Sequence, residues 1–259
     1  MFGKGTTIFS FAAISLLAGT TLAEARFSMM DDAPPADPTS WTEGWKGTVE
    51  FGLNGSDGNS ESLNFRAGTS AKRETSDYDT TAGLVYSRAS SDGTVTTNKA
   101  ELNLRNDWKF KDSPWRVFAL GKLEYDDFQA WEYRASAFGG VGYEAIKNDT
   151  TFLLLRAGLG FSKEFNSPEN KITPEGLLGA DFSYKCSERS KFTSSLDVYP
   201  SLDEFGDYRF NLKAAYEIVV DPETKMSFKI GAEDRYDSNP GAGAKKNDID
   251  YFALLVWSY

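Results

Sequence analysis

The sequence contains no histidine. That absence removes Ser–His–Asp and Cys–His catalysis, histidine-ligated zinc and imidazole proton shuttling. Cysteine is nearly as scarce. Cys186 stands alone, so there is no internal disulfide and no cysteine metal cluster, and it reads as a small residue in a short turn. Beyond the first 19 residues no stretch is long and apolar enough for a transmembrane helix. Positive charge is outweighed: 28 Lys and Arg face 38 Asp and Glu, a formal net charge of −10 that argues against nucleic acid as a partner.

The chain opens with an export address. Lys4 supplies a positive start, Thr7 to Gly19 an apolar run, and Thr21, Ala23 and Ala25 the small residues of a cleavage site. A signal peptide over 1–23, with cleavage open to 25, is expected; an N-terminal membrane anchor is the competing reading, for which the apolar run is short. No cysteine lies just past it, which argues against a lipoprotein. Residues 24–43, containing Ala33-Pro34-Pro35-Ala36-Asp37-Pro38, read as a flexible periplasmic lead-in, and 44–259 as one domain.

Within that domain the stretch from Trp115 to Ala145 sets the pattern. Its odd positions (Trp115, Val117, Ala119, Leu123 and Tyr125, then Tyr133, Ala135, Val141 and Tyr143) are apolar, aromatic or small, whereas charge gathers on Arg116, Lys122, Glu124, Asp126, Glu132, Arg134 and Glu144. This is the period of a strand with two different faces. The same alternation predicts strands near 45–56, 61–74, 78–90, 96–110, 151–164, 175–185 and 191–200, one from Tyr208, one from Met226 and a last from Ile249 to Tyr259. Including both arms of the Trp115 hairpin, that makes twelve.

An even count returns both ends of the domain to one side, as bacterial outer-membrane barrels require. With the N-terminus periplasmic, the inner connections (75–77, 111–114, 147–150, 186–190, 220–224) are short, and several outer ones (165–174, 201–207, 238–248) are longer. The same assignment places Trp108, Phe110, Trp115, Tyr143, Tyr184, Trp257 and Tyr259 at the inner interface. It places Tyr125, Trp131, Tyr133, Phe161, Tyr208, Tyr236 and Tyr251 at the outer one. Two aromatic belts from one register suit a bilayer. A mean hydropathy of −0.44 fits strands that are apolar on one face only. The expected fold is all-β: a transmembrane antiparallel up-and-down β-barrel of about twelve strands. A secreted β-sandwich would also alternate, but it does not explain aromatics confined to strand ends.

Two outer tips resemble each other, Glu132-Tyr133-Arg134 and Asp207-Tyr208-Arg209. Parity turns the arginines inward and the tyrosines outward. Glu124, Asp126, Glu132, Arg134, Asp207, Arg209, Glu233, Arg235, Asp237 and Asp250 are therefore the candidate lumen and mouth residues. Fixed opposite charges there form either a constriction that orients a small polar or ionic solute, or pairs that fill a narrow lumen and pin register. Paired carboxylates also raise glycosidase chemistry, a weak signal where acids are abundant. Divalent cations bridging loop acids to lipopolysaccharide phosphates fit the charge, although no loop has an EF-hand pattern. Gly139-Gly140-Val141-Gly142 sits within a strand, and Gly241-Ala242-Gly243-Ala244-Lys245-Lys246 lacks the ending of a phosphate loop and reads as an external loop.

Gly47–Arg66, Tyr125–Arg134, Tyr199–Arg209 and Asp234–Trp257, with Asp234-Arg235-Tyr236-Asp237-Ser238 and Lys245-Lys246-Asn247-Asp248, resemble the YdiY-like family of salt-induced outer membrane proteins over roughly 45–259. The resemblance implies an outer-membrane barrel and brings no established activity. The sequence-level expectation is a non-enzymatic, monomeric, porin-like barrel in the bacterial outer membrane without a cofactor. It is either a narrow channel or a plugged structural or adhesive envelope protein; a lipid-acting enzyme is the weakest reading. Its expected partners are outer-membrane lipid, lipopolysaccharide and the barrel-assembly machinery, which would read the strand ending Trp257-Ser258-Tyr259.

Overall fold

Strict alternation is realised as twelve strands in the computed structural model, which describes residues 40, 42–56, 62–168, 171–240 and 245–259. The expected signal peptide, most of the lead-in, the Asp57–Ser60 turn and the Gly241–Ala244 stretch lie outside the described residues. The strands are β1 (Trp45–Ser56), β2 (Ser62–Glu74), β3 (Tyr78–Ser91), β4 (Thr94–Lys109), β5 (Trp115–Asp126) and β6 (Tyr133–Lys147). They continue as β7 (Thr151–Phe165), β8 (Ile172–Ser187), β9 (Ser190–Pro200), β10 (Tyr208–Asp221), β11 (Met226–Asp237) and β12 (Asn247–Ser258). Each pairs antiparallel with the next, and β12 returns to β1 to close the barrel. Closure leaves no free sheet edge, the condition for strands to sit in hydrocarbon. The closing seam pairs from Thr48↔Ser258 to Phe51↔Leu255, and Gly47 and Tyr259 extend it by exchanging backbone hydrogen bonds of 3.2 and 2.9 Å.

Turn chemistry explains the hairpins. Asp92 and Gly93 both have positive φ, 48° and 73°, the pair that a two-residue turn needs to match strand twist. The connections at one end (75–77, 110–114, 148–150, 188–189 and 222–225) are all short, whereas the longer ones (127–132, 166–171, 201–207 and 238–246) emerge at the other, the outer end of the expected orientation, together with the two-residue Asp92–Gly93 turn. β8 begins at Ile172, before the expected start. Pro174 is tolerated there because β8 pairs with β9 only from Leu178 onward, so its missing N–H costs no ladder bond on that side.

The outward face follows the predicted parity. Val49, Phe51, Leu104, Leu123, Leu155, Leu159, Leu178, Ile230 and Leu255 are exposed. Around the inner end Trp115 packs on Tyr143 with centroids 4.9 Å apart; around the outer end Tyr125 packs on Tyr133 at 5.2 Å and Tyr208 on Tyr236 at 5.4 Å. Among the described residues no helix is long and apolar enough to cross a membrane.

Two expectations fail inside the barrel. Trp131, assigned to the outer belt, is only 7% exposed: β6 begins two residues later, so Trp131 belongs to the tip, which folds over the mouth. The lumen is also less polar than expected. Phe118, Leu120, Phe138, Leu177 and Tyr199 form one buried apolar cluster on inward-facing positions, and Ala215, Phe252, Leu254 and Val256 form another. Glycines make room for the first. A Cβ at Gly160 would stand 2.4 Å from Phe138 Cδ1, and one at Gly158 3.0 Å from Phe118 Cζ.

Candidate functional site

Above these clusters the inward positions near the outer end are charged, and opposite walls reach each other. Arg209 on β10 donates from Nε and Nη2 to the two oxygens of Glu175 on β8, each at 2.9 Å. Its Nη2 also lies 3.4 Å from Ser136 Oγ on β6, and Nη1 lies 3.8 Å from Glu124 Oε2 on β5. The guanidinium rests 4.1 Å from the Tyr199 ring centroid. This is the planar, forked geometry that suits arginine to bidentate pairing and stacking.

Arg134 on β6 bonds Glu164 on β7, at 3.0 Å from Nε, and Asp237 on β11, at 3.2 Å, while stacking 4.3 Å from the Trp131 ring. Arg235 on β11 points at Asp126 on β5, at 3.7 Å, although β5 and β11 stand diametrically opposite in the ring. Asp250 on β12 accepts from Lys99 on β4 and lies 3.5 Å from Arg235. Glu233 accepts from Arg66 on β2 and from Asn211 on β10, both at 3.2 Å. Eight of the ten residues selected from the sequence, all but Glu132 and Asp207, therefore take part in cross-lumen contacts, in four groups around Arg209, Arg134, Arg235 and Glu233.

Glu132 and Asp207 do not. Glu132 accepts from Asn166 in the next outer loop at 2.5 Å, and Asp207 from Asn239 in the next but one connection at 3.2 Å. The two similar tips thus share a geometry: arginine inward, tyrosine outward, and the acid tying its loop to a neighbouring loop's amide. Both acids stand just before their strands, where parity no longer fixes direction, and Asp207 lines the mouth cavity.

The mouth encloses a cavity of about 320 Å³ bounded by Trp131, Arg134, Glu175, Tyr199, Arg209 and Asp237, among others. Lys122, Glu164, Glu175, Tyr199 and Arg66 belong to this region and were not selected from sequence. Parity alone marks Lys122, Glu164 and Arg66 as inward, so the signal existed. Glu175 falls at the expected start of its strand, three residues after the true start at Ile172, and Tyr199 lies at the outer end of the strand expected at 191–200, where an aromatic also suits the belt. Cys186 is exposed at the inner end, its Sγ 3.7 Å from the Tyr184 carbonyl oxygen.

No curated protein matches the chain. Among solved structures it is similar to a NanC porin, at 10% identity over 82% of this chain and 98% of that chain, TM-score 0.45. It is similar to an outer membrane channel from Pseudomonas putida F1, at 10% identity over 83% and 95%, TM-score 0.48. It is also similar to OmpT, an outer membrane protein of Vibrio cholerae, at 9% identity over 83% and 96%, TM-score 0.40. None of these likenesses bears on what this chain binds. Residues 49–259 match the family described as "Protein of unknown function, DUF481", and the chain belongs to that family.

Proposed function

We propose that this protein is a non-enzymatic barrel of the bacterial outer membrane whose lumen is closed, so that its outer mouth receives ligands and does not pass solutes freely. The observation that carries this reading is the set of bonds joining opposite walls, Arg209 to Glu175 and Ser136, Arg134 to Asp237 and Lys99 to Asp250, stacked over the apolar interior clusters. Charges paired across the lumen and rings packed beneath them support the closed reading, because both obstruct a continuous wet path. The apolar exterior between two aromatic rows supports the membrane assignment.

The same reading makes the protein a monomeric envelope component in contact with lipopolysaccharide. Its last strand, ending Trp257-Ser258-Tyr259, is offered to the barrel-assembly machinery. The resemblance to YdiY-like proteins adds salt-induced expression, which transcript levels after a salt shift would check. The second reading is a narrow channel for small polar or ionic solutes, favoured by the mixed charge around the mouth. Single-channel recording in planar bilayers separates the two. Folded wild-type protein is expected to give no steady openings, and a sustained conductance overturns the closed reading in favour of the channel.

A further inference from the structure

Beneath the mouth lies a second, smaller cavity of about 50 Å³. By volume it holds roughly three to five waters or one compact tetrahedral ion. Of the buried side-chain polar atoms without a hydrogen bond, four belong to residues lining it: Tyr199 Oη, Asn211 Oδ1, Glu124 Oε2 and Arg235 Nε. They come from β9, β10, β5 and β11, so both sides of the lumen contribute. Tyr199 is 1% exposed. A buried phenol without a partner costs free energy unless something occupies the space before it.

Several ion pairs made by residues lining this cavity are loose, although Arg209 also holds Glu175 at 2.9 Å and Arg134 holds Asp237 at 3.2 Å. Lys122 stands 3.6 Å from Glu101 and 3.7 Å from Glu124, Arg209 3.8 Å from Glu124, and Arg235 3.7 Å from Asp126. Elsewhere in the lumen Arg116–Asp79, Arg105–Asp181 and Arg156–Asp197 close to 2.6, 2.7 and 2.9 Å, the length of a charge-assisted hydrogen bond. The loose pairs leave charged groups beside the gap that are not hydrogen-bonded to one another.

The charge of the lining decides the occupant's sign. Within the lining, Lys122, Arg134, Arg209 and Arg235 from the wall and Lys245 and Lys246 from the rim outnumber Glu124, Asp237 and Asp248; Glu175, Glu164, Asp126 and Asp250, which pair with three of these arginines, stand outside it. An anion is favoured, yet Glu124 Oε2 and Asn211 Oδ1 accept hydrogen bonds and offer none to it. Only an anion that also carries a proton to donate satisfies both sets. We propose that this cavity binds a protonated oxyanion of phosphorus, hydrogen phosphate or a phosphomonoester. Its oxygens take hydrogen bonds from Tyr199 and Arg235, and its P–OH donates to Glu124 or Asn211. The inference rests on the closed-lumen reading, because in an open pore the same atoms would be satisfied by bulk water.

The test uses the full chain folded in dodecyl maltoside, with heat-modifiable gel migration as the check on folding, titrated calorimetrically with inorganic phosphate at neutral pH and low salt. Saturable binding of one phosphate per barrel is expected. Sulfate, which has no proton to donate at this pH, is expected to bind at least about tenfold more weakly, and Tyr199→Phe and Asn211→Ala each to weaken phosphate by about tenfold. Competition identifies the source: displacement by glycerol 2-phosphate ahead of short-chain phosphatidic acid assigns a soluble ester, and the reverse order a lipid headgroup. Absence of saturable uptake by folded wild type leaves water as the sole occupant and overturns the proposal. So does equal binding of phosphate and sulfate unaffected by either substitution, which is bulk charge attraction. Failure of the closed-lumen reading shows separately, as conductance in bilayers, whereas absence of phosphate binding in a non-conducting barrel overturns this proposal alone.

Discussion

Arg209 and Glu175 are both almost fully withdrawn from solvent, and each is the other's principal partner. Removing one side of such a pair leaves an uncompensated charge, a loss of about 3–5 kcal/mol. Arg209→Ala is therefore expected to lower unfolding stability by that amount, and Arg209→Lys by less, since lysine keeps the charge but not the fork. Urea unfolding from lipid vesicles, followed by tryptophan fluorescence, measures both, and a wild-type midpoint for Arg209→Ala would refute the assignment. A contrast between glycines can be read in the same experiment. A Cβ at Gly160 would meet Ala137 O at 2.1 Å as well as the Phe138 ring, whereas one at Gly121 meets nothing within 4 Å. Gly160→Ala is expected to cost about 1–3 kcal/mol through overpacking. Gly121→Ala should be neutral or stabilising by about 0.4–1 kcal/mol, because alanine restricts the unfolded chain.

At the level of the strand, period two made most of the fold legible. Facing, strand number, short inner turns and the tyrosine pairs at the outer end all follow from which residues share a face. Where the reading failed, alternation had stopped carrying information. Trp131 lies in the 127–132 connection, where parity no longer fixes direction. Phe118, Leu120 and Phe138 stood in plain sight at inward positions of the defining hairpin. That they meet Leu177 and Tyr199 across the lumen depends on strand stagger, which no local pattern encodes. The site was half legible for the same reason: charged inward residues could be chosen, but not their partners on opposite walls. The outward face yields its own prediction. Leu159 is 66% exposed in the middle of β7, and an arginine on the lipid face near mid-bilayer costs about 2–4 kcal/mol. Leu159→Arg should fold in detergent yet lose folded yield in lipid vesicles, read as the heat-modifiable fraction on gels. Equal yields in both would mean that this face does not meet lipid.

For the whole molecule, the two layers in the lumen make closure a graded property. The outer layer is electrostatic and spans the barrel through Arg209, Arg134, Lys99 and Arg235; in the inner one Phe118 and Phe138 pack over glycines beside a further charged bridge, Arg105 to Asp181 at 2.7 Å. Each layer alone obstructs the path, so neither alone sets conductance. Arg209→Ala should leave planar bilayers silent, because the rings remain beneath it. Phe118→Ala with Phe138→Ala should also stay silent, because the bonded charges remain above. The triple variant joins the vacated volumes and is expected to give steady, ion-conducting openings. Truncating buried rings costs about 3–5 kcal/mol each, so every variant is first checked for heat-modifiable migration. The continuous backbone ladder around the ring supports a folded wall even when interior side chains are lost. Conductance from Arg209→Ala alone would show that the charged layer is the whole barrier. A silent but folded triple variant would place the obstruction elsewhere, in the remaining charged bridges such as Arg105–Asp181 and Arg134–Asp237 or in the second apolar cluster around Phe252 and Leu254.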